Sequence, residues 1–187
     1  MLEVLSQMTD GQSDTLLNCD GSRVMPFFGR TGDKSLQDRK PTDWVLAEGE
    51  RDGFPMIVRM ADAYTDLAPV ASYGHHVILS VHFRNRQPNG FPSSEEGDDL
   101  QSLEENVSWL LEAGNESLCV LVITNNGLRD FIFYTRNADS VRRKLEDNPK
   151  VFQGFVVEFA IEPDDDWRIY KAFSGMLKGH PPGAAIH

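Results

Sequence analysis

The feature that most constrains this chain is a change of hydrophobic period that recurs in a fixed order from His76 onward. Val77, Leu79, Val81 and Phe83 alternate, the period-2 signature of a strand. Leu100, Leu103, Val107, Leu110 and Leu111 then recur at helical spacing, in a helix running from about Ser94 or Asp98 to Ala113. Ser93 with Glu96 is one capping-box pattern and Asp98 with Gln101 a weaker one, while Gly114-Asn115 closes the helix. Leu118 to Thr124 is a continuous apolar run, as in a central strand. Asn126-Gly127 is a hairpin signal, and Leu128 to Thr135 returns as a strand. A second helix covers Ala138 to Asp147, with Ala138, Val141 and Leu145 inward, and Asn148-Pro149 stops it. Phe152 to Ile161 is the last strand, with Phe155, Val157, Phe159 and Ile161 on one face. The order β-α-β-β-α-β predicts an α+β, ferredoxin-like fold: an antiparallel four-stranded sheet with two helices on one face.

Upstream, Trp44 to Glu48 reads as a strand, Asp52-Gly53 as a turn and Phe54 to Met60 as its partner. This N-terminal hairpin is expected to extend the sheet, with Pro55 placing its second strand at the edge. Downstream, Asp164-Asp165-Asp166 precedes an amphipathic segment, Trp167 to Phe173, and Asp at such a position caps a helix. Trp167, Tyr170 and Phe173 would face the domain. The expected organisation is a weakly ordered extension at 1–42, one domain at 43–174 and a flexible tail at 175–187. Met25-Pro26-Phe27-Phe28 reads as a second translation start.

Composition narrows the function. Lys and Arg total 18 against 29 Asp and Glu, a net charge of −11 that repels phosphate backbones and anionic membranes. Apolar residues at 40% suffice for a packed core. No apolar run has the length of a membrane span, and the first residues lack the basic and apolar regions of a secretory signal. Cys19 and Cys119 form neither CxxC nor a zinc pattern, as expected of reduced thiols in a cytoplasmic protein. No cofactor motif is present: GxGxxG, the P-loop, GxSxG and HExxH are all missing.

Three constellations remain. His75, His76 and His82 resemble a metal set, yet His76 and His82 on one strand face stand roughly 20 Å apart and cannot share an ion. Between Pro92 and Glu116 there are eight acids and no Lys or Arg. Asp98, Asp99, Glu104, Glu105 and Glu112 are therefore the candidate interaction surface, suited to a basic protein partner. Arg129-Asp130-Phe131-Ile132-Phe133 has the basic-x-aromatic-x-aromatic form that stacks on bases in RNA-recognition domains, but the motif's glycines are replaced.

Taken together, these segments resemble a bacterial family, the domain of unknown function numbered 695. The resemblance rests on Trp44 followed by Asp52-Gly53-Phe54-Pro55, on Leu67-Ala68-Pro69, and on the strand from near Val77. It continues through Asn89-Gly90-Phe91-Pro92-Ser93-Ser94-Glu95-Glu96 and the helix with Leu100 and Glu104-Glu105. Thr124, Gly127, Arg129, Asp130, Phe131 and Tyr134 follow, then Asp164, Trp167 and Tyr170. The likeness covers about 43 to 174. Some members carry a second domain similar to the protein inhibitor of ribonuclease E, and no counterpart of it is expected within these 187 residues. The family has no established activity, so the resemblance implies a fold and no reaction.

The first functional expectation is a cytoplasmic, non-catalytic interaction or regulatory module, with homo-oligomerisation left open. One alternative is a small enzyme with a pocket between hairpin and sheet, drawing on His82, Arg129, Asp130 and Tyr134. The other is a single-stranded RNA binder using Phe131 and Phe133.

Overall fold

The computed structural model describes residues 44–178. The expected extension at 1–42, Cys19, Met25 and the tail from residue 179 lie outside the described residues. Two strands, β1 (Trp44–Arg51) and β2 (Phe54–Ala61), form the hairpin, and β3 (His75–His82) follows. Next come α1 (Ser94–Glu112), β4 (Ser117–Asn125), β5 (Leu128–Thr135), α2 (Ala138–Asp147), β6 (Val156–Pro163) and α3 (Arg168–Lys178). The strands form one six-stranded sheet in the order β1-β2-β4-β5-β3-β6, and every pairing is antiparallel.

The expected ferredoxin-like sheet has four strands with both helices on one face. The observed strand order differs from it, because the hairpin joins the sheet beyond β4; in addition, a third helix covers the opposite face. α1 and α2 bury Leu100, Leu103, Val107, Leu111, Val141 and Leu145 against Val77, Leu79, Val81, Phe131 and Phe133. α3 with the preceding Trp167, and the segment before β3, bury Tyr64, Tyr73, Trp167, Ile169, Tyr170 and Phe173 against Val58, Ile78, Ile132 and Tyr134. Both faces of β5 are therefore core. β4, between β2 and β5, is buried at every position, which explains its unbroken apolar run.

Pro55 does not mark an edge. β2 lies between β1 and β4, yet its pairing with β4 begins only at Met56, so no ladder bond to β4 is asked of Pro55. The chain around Gly175, expected to begin the tail, continues as helix to Lys178.

The turns decide where loops sit. Asn126 and Gly127 have φ of 44° and 86°, the paired positive values of a type I′ hairpin. The Gly90 loop packs on this turn: Gly127 N donates to Gly90 O at 2.7 Å, and a Cβ on Gly90 would stand 2.9 Å from Asn126 Cα. That close approach demands glycine. It also sets Phe91 and Pro92 beside the sheet, just before the N-terminus of α1.

Candidate functional site

A groove of about 660 Å³ opens between α1 and the sheet. Its floor is one row of the antiparallel register, Ile57 on β2, Thr124 on β4 and Arg129 on β5, with Arg59 one pleat along. Gln101, Glu104 and Glu105 of α1 form one wall, and Phe91 and Pro92 border the opening.

The two arginines differ in what they already hold. Arg59 Nη2 donates to both carboxylate oxygens of Glu104, at 2.7 and 2.5 Å, and its guanidinium lies 5.6 Å from the centre of the Trp44 ring. Arg129 Nε donates to Thr124 Oγ1 at 3.1 Å. Among the described residues no carboxylate lies within ion-pair distance of Arg129. Burial lowers its pKa, with Glu104 opposing and Arg59 reinforcing that shift.

The acidic helix is less free than its sequence suggests. Glu104 is tied to Arg59, and Asp99 pairs with Arg84. Glu112 Oε1 accepts from Cys119 N at 2.8 Å. Glu96, expected to complete a capping box, is buried. Its own N–H bonds to Ser93 Oγ at 3.2 Å, but its carboxylate accepts from Arg84 N and Asn85 N at 2.6 and 2.9 Å. Glu116 pairs with Lys144. The exposed acids of the helix are then Glu95, Asp98, Glu105 and the paired Asp99. Glu95, Asp98, Glu105 and Trp109 fall on one helical stripe, and Trp109 is 80% exposed. The signal for Trp109 lay in the sequence, since it falls outside the Leu100-Leu103-Val107-Leu110-Leu111 stripe.

On the opposite face the residues of the family resemblance meet in one buried network. Tyr134 Oη donates to Asp164 Oδ2 at 2.7 Å. Asp164 Oδ1 accepts from Arg168 N and Nε at 3.0 and 3.2 Å, the helix cap expected of this acid. Trp167 stacks on Tyr134 with ring centres 4.1 Å apart and donates from Nε1 to Tyr73 O at 2.9 Å. Tyr170 Oη donates to Ala61 O at 2.8 Å. Burial raises the Asp164 pKa, but the bonds from Tyr134 and Arg168 outweigh it, and the net shift is downward. His76 is buried beside this network, with Nδ1 3.9 Å from Asp164 Oδ2, and burial lowers its pKa.

Strand alternation divides the four residues of the expected enzyme pocket. Arg129 lies on the groove face. Asp130 and Tyr134 point to the other face, and His82, opposite Leu128, shares that face at the far end of β3. Asp130 is 1% exposed; Ser80 Oγ donates to its Oδ1 at 2.6 Å, and its Oδ2 has no hydrogen-bond partner among the described residues. Burial raises its pKa. His82 Nε2 lies 3.6 Å from Glu158 Oε1. Phe131 and Phe133 are wholly buried under α1 and α2, so neither ring has a face open to a base. Cys119 is buried, and desolvation raises its thiol pKa, so it is a poor nucleophile. Among the described residues no three His, Cys, Asp or Glu side chains converge to hold a metal ion. No helix among them is long and apolar enough to cross a membrane.

A model of a family of unknown function, DUF695, matches residues 42–174. The match spans well over half of the 187 residues, and the chain belongs to this family. Neither the curated proteins nor the solved structures contain a match.

Proposed function

We propose that this protein is a cytoplasmic, non-catalytic interaction module that docks a basic protein segment along the outer ridge of α1. The observation that carries the reading is Trp109, a large aromatic side chain left 80% exposed on an acidic stripe. Exposed aromatics flanked by charge are the usual anchors of interfaces. Asp98 and Glu105 supply attraction at long range, and Trp109 supplies contact area once the partner arrives. Asp99, Glu104 and Glu112 contribute less, because internal bonds occupy them.

Fluorescently labelled peptides that alternate Arg with Leu, followed by anisotropy as the protein is titrated in, test this. Binding is expected to weaken with salt, and by about tenfold or more in Trp109→Ala or in Asp98→Lys/Glu105→Lys. Equal binding by all these proteins would remove the ridge as a docking surface. Glu104 is left intact in the test because its reversal would strand Arg59.

We further propose that β3-α1-β4-β5-α2-β6 is a ferredoxin-like unit to which the hairpin and α3 were added. The succession β4-β5-β3-β6, with α1 and α2 in its two crossovers, supports this reading.

A further inference from the structure

We infer that the groove between α1 and the sheet binds a small organic carboxylate, with the guanidinium of Arg129 as its anchor. The inference is separate from the docking surface and does not rest on it. Arg129 is a half-buried cation whose hydrogen-bond partner among the described residues is a neutral hydroxyl. Because Nε is engaged by Thr124, the two Nη nitrogens are left as a fork, the geometry that meets both oxygens of a carboxylate.

The surrounding charge sets the ligand's charge. Arg59 and Glu104 neutralise one another, so the floor of the groove retains the single positive charge of Arg129. A monoanion matches it. Glu105 in the wall repels any anion, and a phosphate dianion meets that repulsion with twice the charge, so a single negative charge is the better match to Arg129. The remaining lining sets the ligand's body. Ile57, Phe91 and Pro92 offer apolar contact, and Gln101 offers an amide that can donate or accept. A volume near 660 Å³ falls within the range of small-molecule sites. The ligand class is thus a monocarboxylate on a compact aliphatic or aromatic body.

Isothermal titration of the full chain with benzoate and hexanoate tests this, beside benzamide, hexanamide and inorganic phosphate. The carboxylates are expected to bind saturably. The neutral amides and phosphate are expected to bind about tenfold more weakly or worse, the loss typical of a charged hydrogen-bond pair. Arg129→Gln should lose the acid-over-amide preference, and Arg129→Lys, which keeps charge without the fork, should fall between. Trp109→Ala should leave it intact, which separates this site from the docking ridge. Amides that bind as well as acids, an unchanged preference in Arg129→Gln, or no saturable carboxylate binding below about 10 mM would overturn the inference. The acid-against-amide contrast is read on the unmodified protein, so it stands even if a variant folds poorly.

Discussion

Arg129 and Tyr134 lie on one strand, five residues apart, and face opposite sides of the sheet. On the Tyr134 side hydrogen-bonding capacity is largely spent on the fold: Tyr134, Asp164, Arg168, Trp167 and Tyr170 hold one another and the backbone. On the Arg129 side capacity is left over, beside an open groove. Both sets belong to the segments through which the chain resembles its family. The contrast teaches that polar residues of one strand differ in whether their bonds are closed within the protein, and the open ones are where a ligand role is worth testing.

The largest expected effect lies in the closed network. Trp167→Ala removes a fully buried indole stacked on Tyr134 and should cost about 3–5 kcal/mol in denaturant unfolding. Asp164→Asn is expected next, at about 1.5–3 kcal/mol, because it weakens a charged cap and the acceptor of Tyr134. Its effect should depend on pH. The folded pKa values of Asp164 and His76 are both depressed, so the unfolded chain binds more protons and stability rises with pH. For each group the contribution is present above its unfolded pKa and is lost as pH falls through the folded value. The Asp164 deficit should therefore shrink in acid, as read from unfolding curves across the carboxylate range.

Asp130 should show the opposite sign. Its folded pKa is raised, so its contribution is fully present below the unfolded pKa and is lost as pH rises through the folded one. Asp130→Asn should thus gain relative to the parent by about 1 kcal/mol at neutral pH and not in acid. Parallel unfolding at the two conditions checks it. The smallest effect on stability is expected on the open side: Arg129→Gln should stay within about 0.5 kcal/mol of the parent in denaturant while losing its carboxylate preference.

Much of this architecture was legible in the sequence because it is set by local periodicity and turn chemistry. The Ser93 cap, the Asn126-Gly127 turn, the bounds of α2 and the Asp164 cap each need only a few neighbouring residues. What was not legible depends on partners distant in the chain. Glu104 reads as a surface acid until Arg59, 45 residues earlier, is brought to it by β2 pairing with β4. The interior place of β2 was hidden by Pro55, because nothing local tells that pairing with β4 begins one residue later. The division of the expected pocket could have been read: Arg129 and Asp130 are adjacent on a strand and must face opposite ways.

The most direct test of this division is denaturant unfolding of the parent, Arg129→Gln and Asp164→Asn, each with and without saturating benzoate. A ligand that binds only the folded state raises the unfolding midpoint. The account expects Asp164→Asn to start lower than the parent and to be stabilised by benzoate as much as the parent is. It expects Arg129→Gln to start level with the parent and to gain little. Equal gains in Arg129→Gln and the parent, an Asp164→Asn protein as stable as the parent, or benzoate that moves no midpoint would contradict it.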